Sequence, residues 1–265
     1  MGIRFKVTIA ACAVSLAAGV LIAVFLKSEN TDQTDIQPYV TKYLRPASTD
    51  EFVPAGLNRT GSHTIDGIEI LEQLPDLPTG CEVTSLTMVL NYMGFEADKL
   101  DIARDYLEKQ EFERDDDDNL YGPDFRYVFP GDPENDTSFG CLAPCIVSAA
   151  KKYLDENDLF VSPVDLTGTS FYELLSFVEY DVPVILWTTL DLAEPEYIWS
   201  WETPEGEKVT WPTNEHCVVL SAFDYDNNTV QFHDPMMGIV TYDMDRVIER
   251  YEQIGKNAVV IINKK

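Results

Sequence analysis

Twenty consecutive residues near the N-terminus, residues 7–26, carry no charge. A run of that length and apolar character is what a helix needs to cross the hydrocarbon core of a bilayer. Arg4 and Lys6 precede the run, and the chain becomes acidic after Lys27. Because positive residues stay on the cytoplasmic side, this asymmetry predicts a single-pass signal-anchor at residues 1–27 in the cell membrane, with the rest of the chain extracellular.

A cleaved signal peptide is the alternative for the same segment. Such a peptide usually has a shorter apolar region that ends at a small-x-small cleavage site. Here the small residues, at positions 15 and 17–19, lie in the middle of the run, and bulky apolar residues follow them. The pattern therefore favours an uncleaved anchor.

The rest of the chain divides into a polar tether at residues 28–64 and a folded domain at residues 65–265. Apolar residues make up 45% of the sequence, which is enough for one core. A short strand is predicted at residues 68–71, and an irregular region at 112–140. Helical spacing predicts helices at residues 83–93, 100–108, 144–154 and 171–180. Short strands dominate after Pro183, with one helix at residues 245–251, and the order of elements predicts an α+β domain.

The formal net charge of the chain is -27. This charge argues against nucleic acid as a partner, because phosphate binding needs clustered lysine and arginine. It also argues against association with an anionic lipid surface. Surplus carboxylates keep a domain soluble and could steer a basic substrate toward it.

Three residues in the domain predict nucleophilic chemistry. Cys81 begins the helical pattern, and a helix N-terminus favours the thiolate, which is the nucleophilic form of cysteine. A buried and inert thiol is the alternative. His216 begins an apolar strand and can act as a general base. Asp234 ends a later strand and could hold the imidazole tautomer, which completes a predicted Cys–His–Asp triad.

His233 is a competing base, because it directly precedes Asp234. Neighbouring side chains on a strand point to opposite faces of the sheet. Asp234 is therefore better placed to orient a histidine from the adjacent strand, and the pattern favours His216.

The residues around this predicted triad resemble a known family. The segments LPTGCEVTSL (77–86) and MVLNYMG (88–94) resemble the nucleophile helix of the bacteriocin-processing, double-glycine cysteine peptidases. The match is to the stand-alone peptidase-like branch, which is common in Gram-positive bacteria. HCVVL (216–220) and HDP (233–235) resemble the His and Asp-Pro motifs of the family, in fitting order and spacing. The resemblance covers roughly residues 65–262.

This resemblance implies a papain-like cysteine peptidase fold, with N-terminal helices packed on an antiparallel sheet. It also implies that Cys81 is the nucleophile, His216 the base and Asp234 the group that orients it. Gln73, eight residues before Cys81, is the candidate for the family's oxyanion-hole glutamine.

The chain departs from the bacteriocin-processing members in two places. Those members typically have the glutamine six residues before the cysteine and a glycine directly after it, where this chain has Pro75 and Glu82. The sequence also has no ATP-binding motif, so no fused transporter domain is expected. Leader processing occurs on the cytoplasmic side, and cleavage at a double-glycine leader is not expected of an outward-facing domain.

Neither a metal nor a cofactor is predicted. The histidines His63, His216 and His233 lack zinc-type spacing, and the acidic run 115–118 lacks the alternation and glycine of a calcium loop. Cys141 and Cys145 are expected either to form a local disulfide or to pack as thiols on the core.

The tryptophans at positions 187, 199, 201 and 211 lie close together in the sequence. They are expected to pack the sheet and its covering loop, or else to line a groove for peptide or sugar. Residues 191–212 are predicted to form a flap over the cleft.

The favoured function is a membrane-anchored extracellular cysteine peptidase, or thiol hydrolase, that acts on a peptide or protein substrate. An acyl-transfer enzyme or cell-wall amidase on the same fold is one alternative, and a non-catalytic peptide-binding module is another. The presence of Cys81, His216, Asp234 and Gln73 argues against the binding module. The sequence does not distinguish the two enzymes, because groove residues set the substrate.

Overall fold

The computed structural model describes residues 59–117 and 119–263. The predicted anchor lies outside these residues, as do residues 28–58 of the predicted tether. Within the described ranges, the structure contains no helix that is long and apolar enough to span a bilayer.

The described elements are five α-helices, a 3-10 turn at Leu190–Leu192 and thirteen strands, some of the strands only two residues long. The helices are α1 (Cys81–Tyr92), α2 (Lys99–Asp101, continued by a π-helical turn at Ile102–Tyr106), α3 (Ala143–Glu156), α4 (Phe171–Val178) and α5 (Met244–Gln253). The strands are β1 (Ser62–Thr64), β2 (Lys109–Gln110), β3 (Glu113–Arg114), β4 (Leu120–Tyr121), β5 (Phe129–Pro130), β6 (Val161–Asp165), β7 (Val184–Thr189), β8 (Trp199–Glu202), β9 (Lys208–Trp211), β10 (Glu215–Asp224), β11 (Thr229–Asp234), β12 (Gly238–Asp243) and β13 (Ala258–Asn263).

A seven-stranded antiparallel sheet forms the centre of the domain. Its strand order is β12-β11-β10-β7-β13-β6, and β1 pairs with the second half of β10. The first half of β10 pairs with β7, from Glu215 opposite Thr189 to Leu220 opposite Val184. Strand β11 covers the other edge of β10 from Val219 to Asp224. The start of β10 is therefore held in a fixed register near the end of β11.

Helix α1 packs against β10 and is buried along most of its length. All ten residues from Cys81 to Leu90 are buried, as expected for a helix covered on every side. One turn after Cys81, the hydroxyl of Ser85 donates a hydrogen bond of 3.1 Å to the backbone carbonyl of Cys217. This bond fixes the first turn of α1 against the start of β10.

Gly80 makes the tight approach to α1 possible. Its backbone N–H donates to the carbonyl of Leu77 at 3.1 Å, and its carbonyl accepts from Thr84 at 3.0 Å. A Cβ at this position would lie 2.6 Å from the Cβ of Leu77. The loop can therefore turn into the helix, directly before Cys81, only with a residue that has no side chain.

A smaller four-stranded sheet, with the order β3-β4-β8-β9, lies beside the main core. Phe125, Trp201, Val209 and Trp211 form its buried cluster, whereas Trp187 is buried in the main core. Trp199 is the exposed member of the four tryptophans. Packing therefore accounts for three of the four, and the predicted flap is largely the β8–β9 hairpin of this second sheet.

The predicted α+β class with an antiparallel sheet is confirmed, and several element boundaries needed correction. The predicted strand at residues 68–71 is wrong: pairing with β10 is made earlier, by β1. The predicted helix at 100–108 is a short α-turn followed by a π-helical turn. Strand β6 was not predicted because Pro163 interrupts it, which an edge strand tolerates.

Replacing Gly80 with alanine is expected to destabilise the domain. The added methyl group would meet Leu77 in a loop with little room to move, and overpacking of this kind costs about 1–3 kcal/mol. The measurement is urea-induced unfolding of the full-length wild type and Gly80→Ala. An unchanged free energy of unfolding would contradict the close packing described for this turn.

Candidate active site

Cys81 lies at the first position of α1, and its side chain is almost completely buried. Its thiol donates a hydrogen bond of 3.4 Å to Oε2 of Glu82, the next residue. The backbone N–H of Cys217 hydrogen-bonds to the same sulfur. Since Cys217 directly follows His216, this contact brings the nucleophile candidate to the peptide next to the base candidate.

The surroundings of the Cys81 thiol favour its neutral form. Burial raises its pKa well above the usual value, and the nearby carboxyl groups of Glu82 and Glu215 raise it further. The hydrogen bond from Cys217 lowers the pKa but does not reverse the shift. Desolvation and two acidic neighbours therefore oppose the thiolate that the helix N-terminus is expected to favour.

His216 and Asp234 form a buried pair. Nε2 of His216 lies 3.0 Å from Oδ2 of Asp234, and both side chains are about 95% buried. Nε2 forms no well-aligned hydrogen bond among the described residues, and loosely aligned hydrogen bonds are common for catalytic pairs without substrate. Because Asp234 contacts Nε2, the other ring nitrogen of His216 is the one left for a reacting partner.

Asp234 is fixed by backbone groups as well as by the histidine. Its Oδ1 accepts hydrogen bonds from the backbone N–H groups of Met236 at 2.7 Å and Met237 at 3.1 Å. Burial raises the pKa of Asp234, but the contact with His216 and these two N–H groups lower it more, so the pKa lies below its usual value. The carboxylate is therefore ionised near neutral pH.

His233 has different partners from Asp234. Its Nδ1 lies 2.9 Å from the hydroxyl of Ser221, and its ring also hydrogen-bonds to the backbone of Ile68. Burial lowers the pKa of His233. The two neighbours thus make the separate contacts expected of alternate faces of a strand, and His216 is the histidine beside Asp234.

Gln73 lies in the loop before α1 and is buried. Its side-chain Nε2 donates a hydrogen bond of 3.0 Å to the carbonyl of Pro78, and its Oε1 has no hydrogen-bond partner among the described residues. Its backbone N–H donates to the carbonyl of Pro235 at 2.9 Å. Gln73 is therefore anchored between the residue after Asp234 and the turn into α1, with one amide hydrogen still available.

Two acidic residues of the site were not identified from the sequence. Glu82 is fully buried and Glu215 nearly so, and the two carboxyl groups and the Cys81 sulfur offer atoms within 4.8 Å of one another. Burial raises the pKa of Glu82 to about 7, and burial and Glu82 raise that of Glu215. Glu82 was interpreted only as a departure from the family pattern, and Glu215 carries no motif.

The alternative sites considered for the sequence have ordinary structural roles. Cys141 and Cys145 are free, buried thiols, which is the packing alternative. Asp115 accepts hydrogen bonds from the backbone of Asp117 and from Asn119, so that its carboxylate stabilises a turn. A surface cavity of about 320 Å³ beside Tyr127 contains none of the predicted site residues.

Loss of the charge on Asp234 should change how stability depends on pH. A carboxyl group with a lowered pKa stabilises the fold above its unfolded pKa, about 3.9, and the contribution is lost as the pH falls through the lower folded value. Asp234→Asn should therefore be less stable than wild type near neutral pH, by about 1–3 kcal/mol. This difference should shrink below about pH 4.

Urea unfolding of the full-length chain across this pH range measures the difference. Asp136→Asn is the matched control, because Asp136 is exposed. Equal pH dependence in the two variants would contradict the described environment of Asp234.

The chain is similar in sequence and in fold to known proteins. The uncharacterized protein YvpB of Bacillus subtilis (strain 168) is 33% identical over 190 residues, which cover 71% of this chain and 70% of YvpB. The crystal structure of a candidate C39-like peptidase from Bacillus anthracis aligns with a TM-score of 0.67 at 29% identity, over 77% of this chain and 99% of the other.

A double-glycine motif protease from an AMS/PCAT transporter, solved with its leader peptide, aligns over 79% of this chain and 99% of its own, at 15% identity and a TM-score of 0.39. That overlap is too low to transfer a substrate. The Peptidase_C39-like family, by contrast, matches residues 65–259. The match spans the segments that carry Gln73, Cys81, His216 and Asp234, and the chain belongs to the Peptidase_C39-like family.

Proposed function

We propose that the domain hydrolyses peptide or amide bonds through Cys81, with His216 as the base and Asp234 as the residue that orients it. The observation that carries the proposal is the buried pair of His216 Nε2 and Asp234 Oδ2, 3.0 Å apart. The peptide after His216 donates to the sulfur of Cys81. Membership of a cysteine-peptidase-like family supports the same reading.

The first chemical step is removal of the thiol proton. Nδ1 of His216 accepts the proton from Cys81, which gives a thiolate and an imidazolium, and Asp234 stabilises the positive ring. This step has to offset the burial that raises the pKa of Cys81. The thiolate then attacks the substrate carbonyl carbon, and the carbonyl oxygen becomes an oxyanion.

The second step needs hydrogen-bond donors for the oxyanion. The first N–H groups of a helix have no partner within the helix, so the Cys81 N–H can serve, together with the free amide hydrogen of Gln73. His216 returns its proton to the leaving amine, which departs and leaves a thioester on Cys81. Water, deprotonated by His216, then attacks the thioester and releases the acid product and the free thiol.

The surface next to the site suits a peptide with apolar side chains. Leu74, Met236 and Met237 are exposed by 45–62%. Leu74 follows Gln73, and the two methionines follow Pro235, whose carbonyl accepts from Gln73. Exposed methionine side chains are adaptable and fit varied apolar partners.

The domain is proposed to act outside the cell, tethered by the polar segment that precedes β1 to an anchor at residues 1–27. The support is the uncharged run at 7–26, with Arg4 and Lys6 before it.

A peptidyl epoxide, which reacts with a cysteine that has a working histidine partner, should modify Cys81 in the full-length protein. Modification should disappear in Cys81→Ser and slow by about 100-fold or more in His216→Ala, the usual loss when a general acid or base is removed. Intact-mass and peptide mass spectrometry measure the rate and the site.

His63→Ala is the matched control, because His63 is paired with Asp181 at 2.8 Å and lies in β1. Equal slowing in both histidine variants would show that His216 has no special role. Peptide-library digestion with the same proteins, followed by mass spectrometry, should give new termini that depend on Cys81. Epoxide modification without such cleavage would contradict the hydrolase.

The proposed orientation predicts that protease added to intact cells removes a tag at the C-terminus of the chain. A tag placed before residue 1 should survive until the cells are lysed, because it would face the cytoplasm. Immunoblotting of both tags measures the outcome. Survival of the C-terminal tag in intact cells would contradict the outward orientation.

A further inference from the structure

A buried pair of carboxyl groups lies beside the sulfur of Cys81. Glu82 comes from the first turn of α1 and Glu215 from the first residue of β10, so the two meet where the helix touches the sheet. The peptidase mechanism described above uses neither group. Burying two carboxyl groups without a positively charged partner is costly in a protein interior. This cost indicates that the two groups have a role at the sulfur of Cys81.

The first carboxyl group is fixed at both oxygens. Oε1 of Glu82 accepts a hydrogen bond of 2.6 Å from the backbone N–H of Cys141. Its Oε2 accepts the thiol hydrogen bond from Cys81 at 3.4 Å. The Cys141 contact joins residues that are 59 positions apart, so Glu82 is held toward the sulfur by the fold rather than by α1 alone.

The second carboxyl group lies against the first. A Cβ on Gly140 would be 2.4 Å from Oε1 of Glu82 and 2.9 Å from Oε2 of Glu215, so both groups crowd around the same point. The Oε1 of Glu215 is buried and has no hydrogen-bond partner among the described residues. This oxygen without a hydrogen-bond partner is therefore available for protonation.

The groups that face this pair are all acidic or neutral. Cys81 approaches from α1, Cys141 from the segment before α3, and Cys217 from β10. None of the contacts and electrostatic interactions given for Glu82 or Glu215 in the described chain involves a lysine, arginine or histidine. Since two adjacent buried carboxylates cannot both ionise readily, the pair binds a proton instead.

We propose that Glu82 and Glu215 are positioning residues that together bind a proton beside Cys81, and that at a given pH this bound proton makes Cys81 more reactive than it would be beside the ionised pair. The proposal rests on the proposed role of Cys81 as nucleophile. The proposal adds that the protonation of this pair regulates the reactivity of Cys81, because the pair determines the charge next to the sulfur.

The sign of the pH effect follows from the direction of the shifts. As the pH rises through about 7, Glu82 loses its proton. The new negative charge next to the sulfur disfavours the thiolate. An ordinary thiol gains reactivity steadily as the pH rises toward its pKa. In wild type, the ionisation of Glu82 should cancel part of this rise in reactivity with pH. Removing the ionisable group at position 82 should restore the full rise.

The test is the rate at which iodoacetamide alkylates Cys81 in the full-length protein, with Glu82→Gln compared to wild type. Glutamine keeps an oxygen that can accept from Cys141 but cannot ionise. The rate ratio of variant to wild type should rise from near unity at about pH 6 to about 10 at about pH 8, which corresponds to one unit in the pKa of the thiol. Peptide mass spectrometry isolates the Cys81 signal from the other cysteines.

Two further variants complete the set. Glu215→Gln should leave the ratio closer to unity than Glu82→Gln does, because Glu82 can still ionise next to the sulfur, and Glu96→Gln should leave the ratio unchanged, because Glu96 is exposed. All samples contain a chelator, since a thiol and two carboxylates within 4.8 Å could also take up a divalent cation. A ratio for Glu82→Gln that stays constant with pH would overturn the proposal.

A second measurement covers the case in which a variant folds poorly. The folded state binds a proton that the unfolded state has lost, so wild-type stability should fall as the pH rises from about 5 to about 7. Glu82→Gln should flatten this fall in urea unfolding, and equal slopes would overturn the proposal. The two proposals can be tested separately. If His216→Ala does not slow the epoxide reaction, the proposed peptidase mechanism is wrong. If only the alkylation ratio stays constant with pH, the proton-binding pair alone is wrong.

Discussion

The contact between the first turn of α1 and the start of β10 is the interaction on which the site depends. It brings the sulfur of Cys81 to the backbone of Cys217 and places the carboxyl group of Glu82 close to that of Glu215. The hydrogen bond from Ser85 to Cys217 sets the distance between helix and strand. Because β10 also carries His216, one helix–strand contact determines where the nucleophile and the base lie relative to each other.

Burial at this contact works against reactivity. The same desolvation that packs Cys81 tightly raises the pKa of its thiol, and the acidic neighbours add to the shift. In the proposed mechanism His216, paired with Asp234, opposes this effect by accepting the thiol proton. Reactivity in that mechanism therefore depends on the balance between the acidic neighbours, which disfavour the thiolate, and the histidine that takes its proton.

Local sequence patterns predicted the elements that carry the site, and long-range contacts account for what they missed. The apolar spacing after Cys81 and the strands that contain His216 and Asp234 were predicted because each pattern is continuous along the chain. The role of Glu82 depends on the N–H of Cys141, 59 residues away, which no local pattern reveals. The same limitation explains the strand wrongly expected at residues 68–71. A local apolar pattern does not show which segment pairs with β10, and in the structure that segment is β1.

Direct measurement of the Cys81 thiolate tests the central claim, that His216 with Asp234 promotes an ionisation that burial disfavours. The ultraviolet absorbance of the thiolate would be followed during a pH titration of the full-length wild type and His216→Ala, with Cys81→Ser subtracted from each. The account predicts that the Cys81 thiolate appears at a lower pH in wild type than in His216→Ala. Identical titrations of the two proteins would contradict it.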